Sequence, residues 1–564
     1  MKRIIILLLV LISLNLFGQE KAPLVIFKGK DYPTRFLNEN GEVLFTLPQG
    51  DYPLGKNYLG GIFGYLSKVF GEPGLSLYQN GICVIKNKNE EVHWLDQNGE
   101  TIKSFGNQYH YMGTSGNSFY LAKETNESSY LTFLNYDGES AFENNKFWNA
   151  THFSEGLAGV QFEDKNGQYA YINQYGETVI FINELFGDHN FNLFPFTDGL
   201  ARVKQMVKSG TYSTNDYYYF IDKNGKIILD LYKLFPGKSI SANIPFKDGV
   251  TAISIATPNT SSRDLVFINS SGETLLEFKN ANLASAFNKG VAFISKKYEE
   301  NGLLKNKKLL IDKSGKILDL GIDTEKEEIM RTSTSNNFYF YIQSYQFEDH
   351  QYVSRLYSYE TKKPVFETIS KIISYNENLV LLDINGLKNF ELVNILTEET
   401  IWANPPEEVW FTSIEKALAY KDKVKNFIFD FNSGDFSKLF YFKNLTHLEI
   451  KVFQNESWLK EIAKMEKLEY FSINYVNNIK SLPPEIANLK NLKKLTILDC
   501  TKLRNIEPVI LKLESLEELE LSNYVLENGF KEKIKLINPK LKIITSFFYN
   551  DEGEELFYKP DPID

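Results

Sequence analysis

The stretch F-T-D-G-L-A-R-V at residues 196–203, followed after a polar interval by Y-Y-Y-F-I-D-K-N-G-K-I-I-L at residues 217–229, decides the fold. It reads as a strand opened by Phe-x-x-Gly-Leu, then a hairpin turning over Asp222, Lys223, Asn224 and Gly225, then a strand of β-branched residues. Asn-Gly between two apolar alternating runs is a strong hairpin signal, because Asn and Gly tolerate the positive φ of a tight turn. A lone hairpin cannot bury its own apolar face, so stability requires stacked copies.

Those copies are present. The turn glycine recurs as Gly41, Gly99, Gly138, Gly176, Gly225, Gly272 and Gly315, each with Asp or Asn three residues before it and Glu or Lys directly after. Most are preceded by the second marker, at Gly81, Gly156, Gly199, Gly249 and Gly290. A period of about 45 residues with several strands per unit predicts a β-propeller blade or a β-solenoid coil. Seven or eight such units are expected, with degenerate ones continuing through R-L-Y-S-Y-E-T-K-K-P-V-F and L-V-L-L-D-I-N-G-L-K-N-F to about residue 400.

The units resemble the WG-repeat family, best in F-S-E-G-L-A-G-V from Phe153 with Y-A-Y-I-N-Q-Y-G-E-T-V-I from Tyr169, and in the opening stretch. The Trp-Gly pair itself is replaced by Tyr169-Ala170, Tyr218-Tyr219, Leu265-Val266 and Lys308-Leu309. The resemblance implies a mostly β repeat protein with a propeller-like or open solenoid array over residues 19–402.

Past Pro405-Pro406, which end any regular strand, the period changes. Thr412 and Glu415 have capping-box spacing ahead of an apolar helical face at Ile414, Ala417 and Leu418. Then V-K-N-F-I-F from Val424, L-T-H-L-E-I from Leu445, L-E-Y-F-S-I from Leu468, L-K-K-L-T-I from Leu492 and L-E-E-L-E-L from Leu516 repeat L-x-x-L-x-L. This resembles the leucine-rich repeat family, as does S-L-P-P-E-I-A-N-L-K-N-L, and implies an α/β solenoid with a helical N-terminal cap over residues 403–550. Position nine of the repeat, polar and buried in regular members, is Asn432 in the first unit and Cys500 in the fourth. Residues 551–564 read as a tail.

The 564 residues carry a net charge of −10, which opposes non-specific binding to nucleic acid or to an anionic membrane surface. Lys2 and Arg3, the apolar run from Ile4 to Leu16 and Gly18 form an export signal over residues 1–18, too short to span a bilayer comfortably. The expectation is an exported monomer, periplasmic or secreted, with no integral membrane segment once the signal is removed. Cys83 and Cys500, the only cysteines, lie in different arrays and read as small buried residues.

No sequence pattern carries chemistry. The run from Gly50 to Lys56 spells a phosphate-binding loop until Asn57 replaces its Ser or Thr, and a glycine-broken segment follows where a helix is required. The Asp222 turn is no calcium loop, because the first ligand position falls on Phe220. The six histidines show no ligand spacing, and neither G-x-S-x-G nor C-x-x-C occurs. The apolar insertion Y-L-G-G-I-F-G-Y-L-S-K-V-F at 58–70 reads as core or cap filling.

Strand side chains alternate, so in L-x-x-L-x-L the residues between the leucines face the concave side. These are Asn426 and Ile428, His447 and Glu449, Tyr470 and Ser472, Lys494 and Thr496, Glu518 and Glu520. The last eight form the candidate site, a surface for a protein or peptide, without catalysis, cofactor or metal. The rival reading is a glycan-active hydrolase with two carboxylates in a propeller channel.

Overall fold

The computed structural model describes residues 22–26, 33–54, 78, 80–116, 119–125, 130–143, 146–163, 167–209, 214–256, 263–300, 303–323, 325–334, 336–384, 389–430, 432–451, 457–474, 479–500, 502–503, 506–522 and 530–546. The export signal, the apolar insertion, the end of the phosphate-loop-like run and the C-terminal tail lie outside them. The chain divides into two compact units, residues 1–383 with 391–402, and residues 384–390 with 403–564.

The first unit is built from antiparallel sheets whose neighbouring strands are consecutive in sequence. One sheet has seven strands, and its two halves meet at a single pair, Leu131 with Phe147. Counting the halves separately gives, among the described residues, nine repeats of three or four strands, against the seven or eight that turn spacing predicts. The undercount arises in the last two repeats, where the turn has one more residue and no glycine. Lys362 and Glu398 take the left-handed position, each with φ +59°, and Ser358 and Asn394 accept at the turn head.

At the Asp222 turn the Gly225 N–H donates to the Asp222 carbonyl at 3.0 Å, and Asp222 Oδ1 accepts from the N–H groups of Asn224 and Lys226 at 2.9 Å. Gly225 has φ +81° while Asn224 keeps an ordinary negative φ, and the strand pairing then slips between Phe220 and Ile221. The expected Asn-Gly tight turn is therefore corrected to a wider turn closed by glycine, with a bulge behind it. The two-residue turn occurs at the other marker. Asp198 and Gly199 both have positive φ, and Thr197 pairs with Leu200 across them. Phe-x-x-Gly-Leu is thus itself a type I′ hairpin.

The glycine of a wide turn packs on the last strand of the preceding repeat or on the segment that follows it. A Cβ at Gly99 would lie 2.6 Å from Phe45, and one at Gly176 would lie 2.8 Å from Phe142. The same rule brings Gly41 of the first repeat onto Ile401 and Trp402 of the ninth, so the array closes as a β-propeller-like ring. Its cores lie between repeats: Tyr171 and Ile180 of the fourth pack with Phe196, Ala201 and Val203 of the fifth, and Leu200 and Phe220 of the fifth with Phe246 and Ile253 of the sixth. Carboxylates at the type I′ turns tie repeats together. Gly199 N–H donates to Glu155 at 3.1 Å, Gly249 N–H to Asp198 at 2.8 Å and Gly290 N–H to Asp248 at 2.8 Å.

The second unit holds a seven-stranded parallel sheet: Trp410–Phe411, Asn426–Phe429, His447–Ile450, Tyr470–Asn474, Lys494–Leu498, Glu518–Ser522 and Lys542–Ser546. Leucine, isoleucine and phenylalanine side chains on one face join a single core with short helical segments such as Phe436–Tyr441 and Pro484–Asn488. Two local expectations are corrected. The helix Ile414–Leu418 is capped by Ser413, whose side chain accepts from Lys416 N–H, and not by Thr412, since Ser413 is the residue with extended backbone directly before the first turn. Asn432 is exposed, and the buried polar position falls one residue later on Ser433, whose hydroxyl donates to the Ile428 carbonyl. Cys500 and Cys83 are both buried and are not joined in a disulfide, and burial pushes the Cys83 thiol up to about 12.

Candidate functional site

The parallel register sets the residues between the leucines in two straight rows. Trp410, Asn426, His447, Tyr470, Lys494, Glu518 and Lys542 are successive partners in one. Ile428, Glu449, Ser472, Thr496, Glu520 and Ile544 make the other. All eight candidate residues therefore lie side by side on one sheet face.

The first row changes character along its length. Asn426 is small and buried, its amide donating to the Glu407 carbonyl at 3.1 Å, and the Trp410 ring reaches past it to meet His447 edge-on at 6.0 Å. His447 then stacks on Tyr470, centroids 5.7 Å apart and planes 25° from parallel. Burial lowers the His447 imidazole below its ordinary value, against a smaller opposing effect of Glu469. The imidazole is consequently neutral at pH 7, which suits a stacked aromatic.

From Tyr470 onward the row is ionic. Lys494 Nζ lies 5.8 Å from the Tyr470 ring centroid and 2.5 Å from Glu518, and Lys542 approaches Glu518 at 2.9 Å. Burial alone would lower the Lys494 ammonium, but the hydrogen bond and charge of Glu518, with Tyr470 and Glu520, together outweigh it and hold the group above its ordinary value. Hydrogen bonds from Lys494 and Lys542 hold Glu518 below the usual carboxylate range. With Glu520 of the second row 3.8 Å from Lys494, each charge in this half has an opposite charge beside it.

The second row forms a low floor. Ser472 and Thr496 are buried between Glu449 on one side and Glu520 on the other. Glu449 accepts from the Asn474 amide at 3.0 Å, and Thr496 donates to Glu520 at 3.4 Å. Among the described residues two buried atoms here, Ser472 Oγ and Asn474 Oδ1, have no hydrogen-bond partner. A buried polar atom left unsatisfied costs about 1–3 kcal/mol.

Trp410 and Asn474 were not among the residues expected at the site. Trp410 stands ahead of the first L-x-x-L-x-L segment, on a strand whose Phe411 pairs with Phe427. Asn474 stands one step beyond L-x-x-L-x-L, where alternation places it on the concave side. Among the described residues no group of His, Cys, Asp and Glu is arranged to hold a metal, and no helix is long and apolar enough to cross a membrane.

No family model and no curated protein matches the sequence. Three solved structures are similar in part. A eukaryotic initiation factor is 11% identical, with 69% of this chain and 96% of that chain covered and a TM-score of 0.40. BamB from Moraxella catarrhalis is 12% identical, covering 58% and 95%, with a TM-score of 0.29. The Dos1 propeller is 13% identical, covering 55% and 86%, with a TM-score of 0.30.

Proposed function

We propose that this chain is an exported binding protein that takes a protein or peptide on the concave face of a leucine-rich repeat solenoid, carried by a WG-repeat ring. One observation carries the reading: the stacked His447 and Tyr470 rings stand beside a floor whose Ser472 Oγ and Asn474 Oδ1 lack partners. Rigid aromatics next to unsatisfied polar atoms supply what peptide recognition needs, apolar area at low entropic cost together with hydrogen-bonding groups for a main chain. Charged neighbours are already paired, so they set register and exclude wrong partners more than they add affinity. Export follows from the Lys2 to Gly18 reading.

The test is selection of a random-peptide display library on the full chain, with the Tyr470→Ala protein screened in parallel. Enrichment of a shared sequence on the parent and its loss on the variant supports the reading. Equal enrichment on both, or none on either, removes the concave face from the account.

A further inference from the structure

Arg202 is a charge at a position the other repeats keep apolar. Counting from the type I′ turn, the third residue of the following strand is Gly159, Arg202, Ala252 and Phe293 in four successive repeats. Arg202 lies on the strand Leu200–Lys208 and is only 5% exposed. Its guanidinium stands over the Phe194 ring at 3.6 Å, but Nε and Nη1 have no hydrogen-bond partner. Among the described residues it makes no ion pair. Asp216 on the adjoining strand is committed to Lys204 at 2.7 Å. Tyr171, close enough to be felt by the charge, spends its hydroxyl on the Phe194 carbonyl at 2.8 Å. Burial without a counter-charge pushes the guanidinium down to about 10, opposed only by the Tyr218 and Tyr171 phenols.

A buried cation persists only when paired, and stacking on a phenyl ring does not supply the hydrogen bonds that water gave. Guanidinium is suited to planar or tetrahedral oxyanions, because its N–H groups are fixed in one plane and are weakly hydrated. We propose that Arg202, with Phe194 beneath it and the Tyr218 phenol alongside, is an anion-binding site in the fifth repeat that takes a carboxylate or phosphate group of a ligand. The site is separate from the concave face, and its failure leaves the peptide-binding reading untouched.

The experiment measures thermal midpoints of the full chain in inorganic phosphate, succinate or chloride at one fixed ionic strength, for the parent and for Arg202→Met. The parent midpoint is expected to rise by about 1–3 °C at a hundredfold excess of the fitting anion over chloride, and the variant midpoint to stay level. A response to phosphate alone assigns a phosphoryl ligand, and a response to succinate alone a carboxylate. Phenylglyoxal labelling of the unmutated protein, followed by mass spectrometry at Arg202, decides the matter if the variant does not fold. Severalfold slower labelling in the fitting anion supports the site. Equal midpoint responses in parent and variant, no response in the parent, or labelling of Arg202 that is absent or unaffected by either anion overturns it.

Discussion

Gly41, in the first wide turn of the chain, sits directly beneath the carbonyl of Ile401, in the last strand of the ring. A methyl group at Gly41 would run into that carbonyl and into Trp402 Cβ, while φ +82° already disfavours any side chain. Gly199 has a similar φ of +77° with nothing within 4 Å of the same added atom. Comparing alanine at the two sites therefore separates backbone strain from closure. Gly199→Ala is expected to cost about 1–2 kcal/mol for the left-handed backbone. Gly41→Ala adds about 1–3 kcal/mol of overpacking. Urea midpoints of the full chain check this, and equal losses would mean that the first and ninth repeats do not press together.

The turns show what in this chain is local and what is not. Asp222 and Gly225 were legible because one residue supplies the acceptor and the other the positive φ, all within five residues. Lys362 and Glu398 hide the last two repeats by holding the glycine position in a strained conformation that neighbouring strands impose. Closure was not legible, since Gly41 and Ile401 meet through the accumulated rotation of nine repeats. The alignment of the between-leucine residues in two rows follows from period-2 alternation alone. Their division into an aromatic half and an ion-paired half was not legible, because it depends on which side chains reach across to a neighbour 21 to 24 residues away.

Asp198 does two jobs at one turn. It holds φ +51° and its carboxylate accepts from Gly249 N–H of the next repeat at 2.8 Å. Asparagine tolerates that backbone and keeps an acceptor, so Asp198→Asn should lower stability by less than about 0.5 kcal/mol. Alanine provides neither and should cost about 1–2 kcal/mol, the acceptor being largely exposed. Chemical denaturation of both variants gives the ordering, and a more damaging asparagine would refute it.

Within the eighth repeat, Arg355 grips Glu327 through two nitrogens at 2.7 and 3.2 Å and Glu367 through Nε at 2.5 Å, with Ser344 donating to Glu327. Burial alone would raise the Glu327 carboxyl, but the bonds from Arg355, Ser344 and Gln346 together with the Arg355 charge outweigh it and hold the group below its ordinary 4.5. A carboxylate depressed in the folded state contributes stability above the unfolded value and loses it as pH falls through the folded one. Glu327→Gln should therefore destabilise by about 2–4 kcal/mol at pH 7, less than a fully isolated buried pair because Glu367 remains. The deficit should shrink as pH drops below 4.5. Stability curves of parent and variant that stay parallel down to pH 3 would show that the pair does not set the acid limb.

On the concave face, the aromatic and ionic halves of the row make separable predictions for any peptide selected on the full chain. Tyr470→Ala removes the ring that His447 stacks on and that Lys494 overlies. Loss of a central aromatic anchor is worth about 2 kcal/mol or more, so affinity should fall roughly 30-fold or further. Glu518→Lys leaves Lys494 and Lys542 without their shared carboxylate and sets three ammonium groups in a line. The repulsion disturbs the Lys494 side chain over Tyr470 and should weaken binding about tenfold at low salt, with most of the loss recovered in high salt through screening. Calorimetric Kd values at two ionic strengths distinguish the halves. A Tyr470→Ala affinity equal to that of the parent would place the peptide elsewhere, and salt-independent loss in Glu518→Lys would mean that the charge reversal acts through the fold of the sheet instead of through its electrostatics.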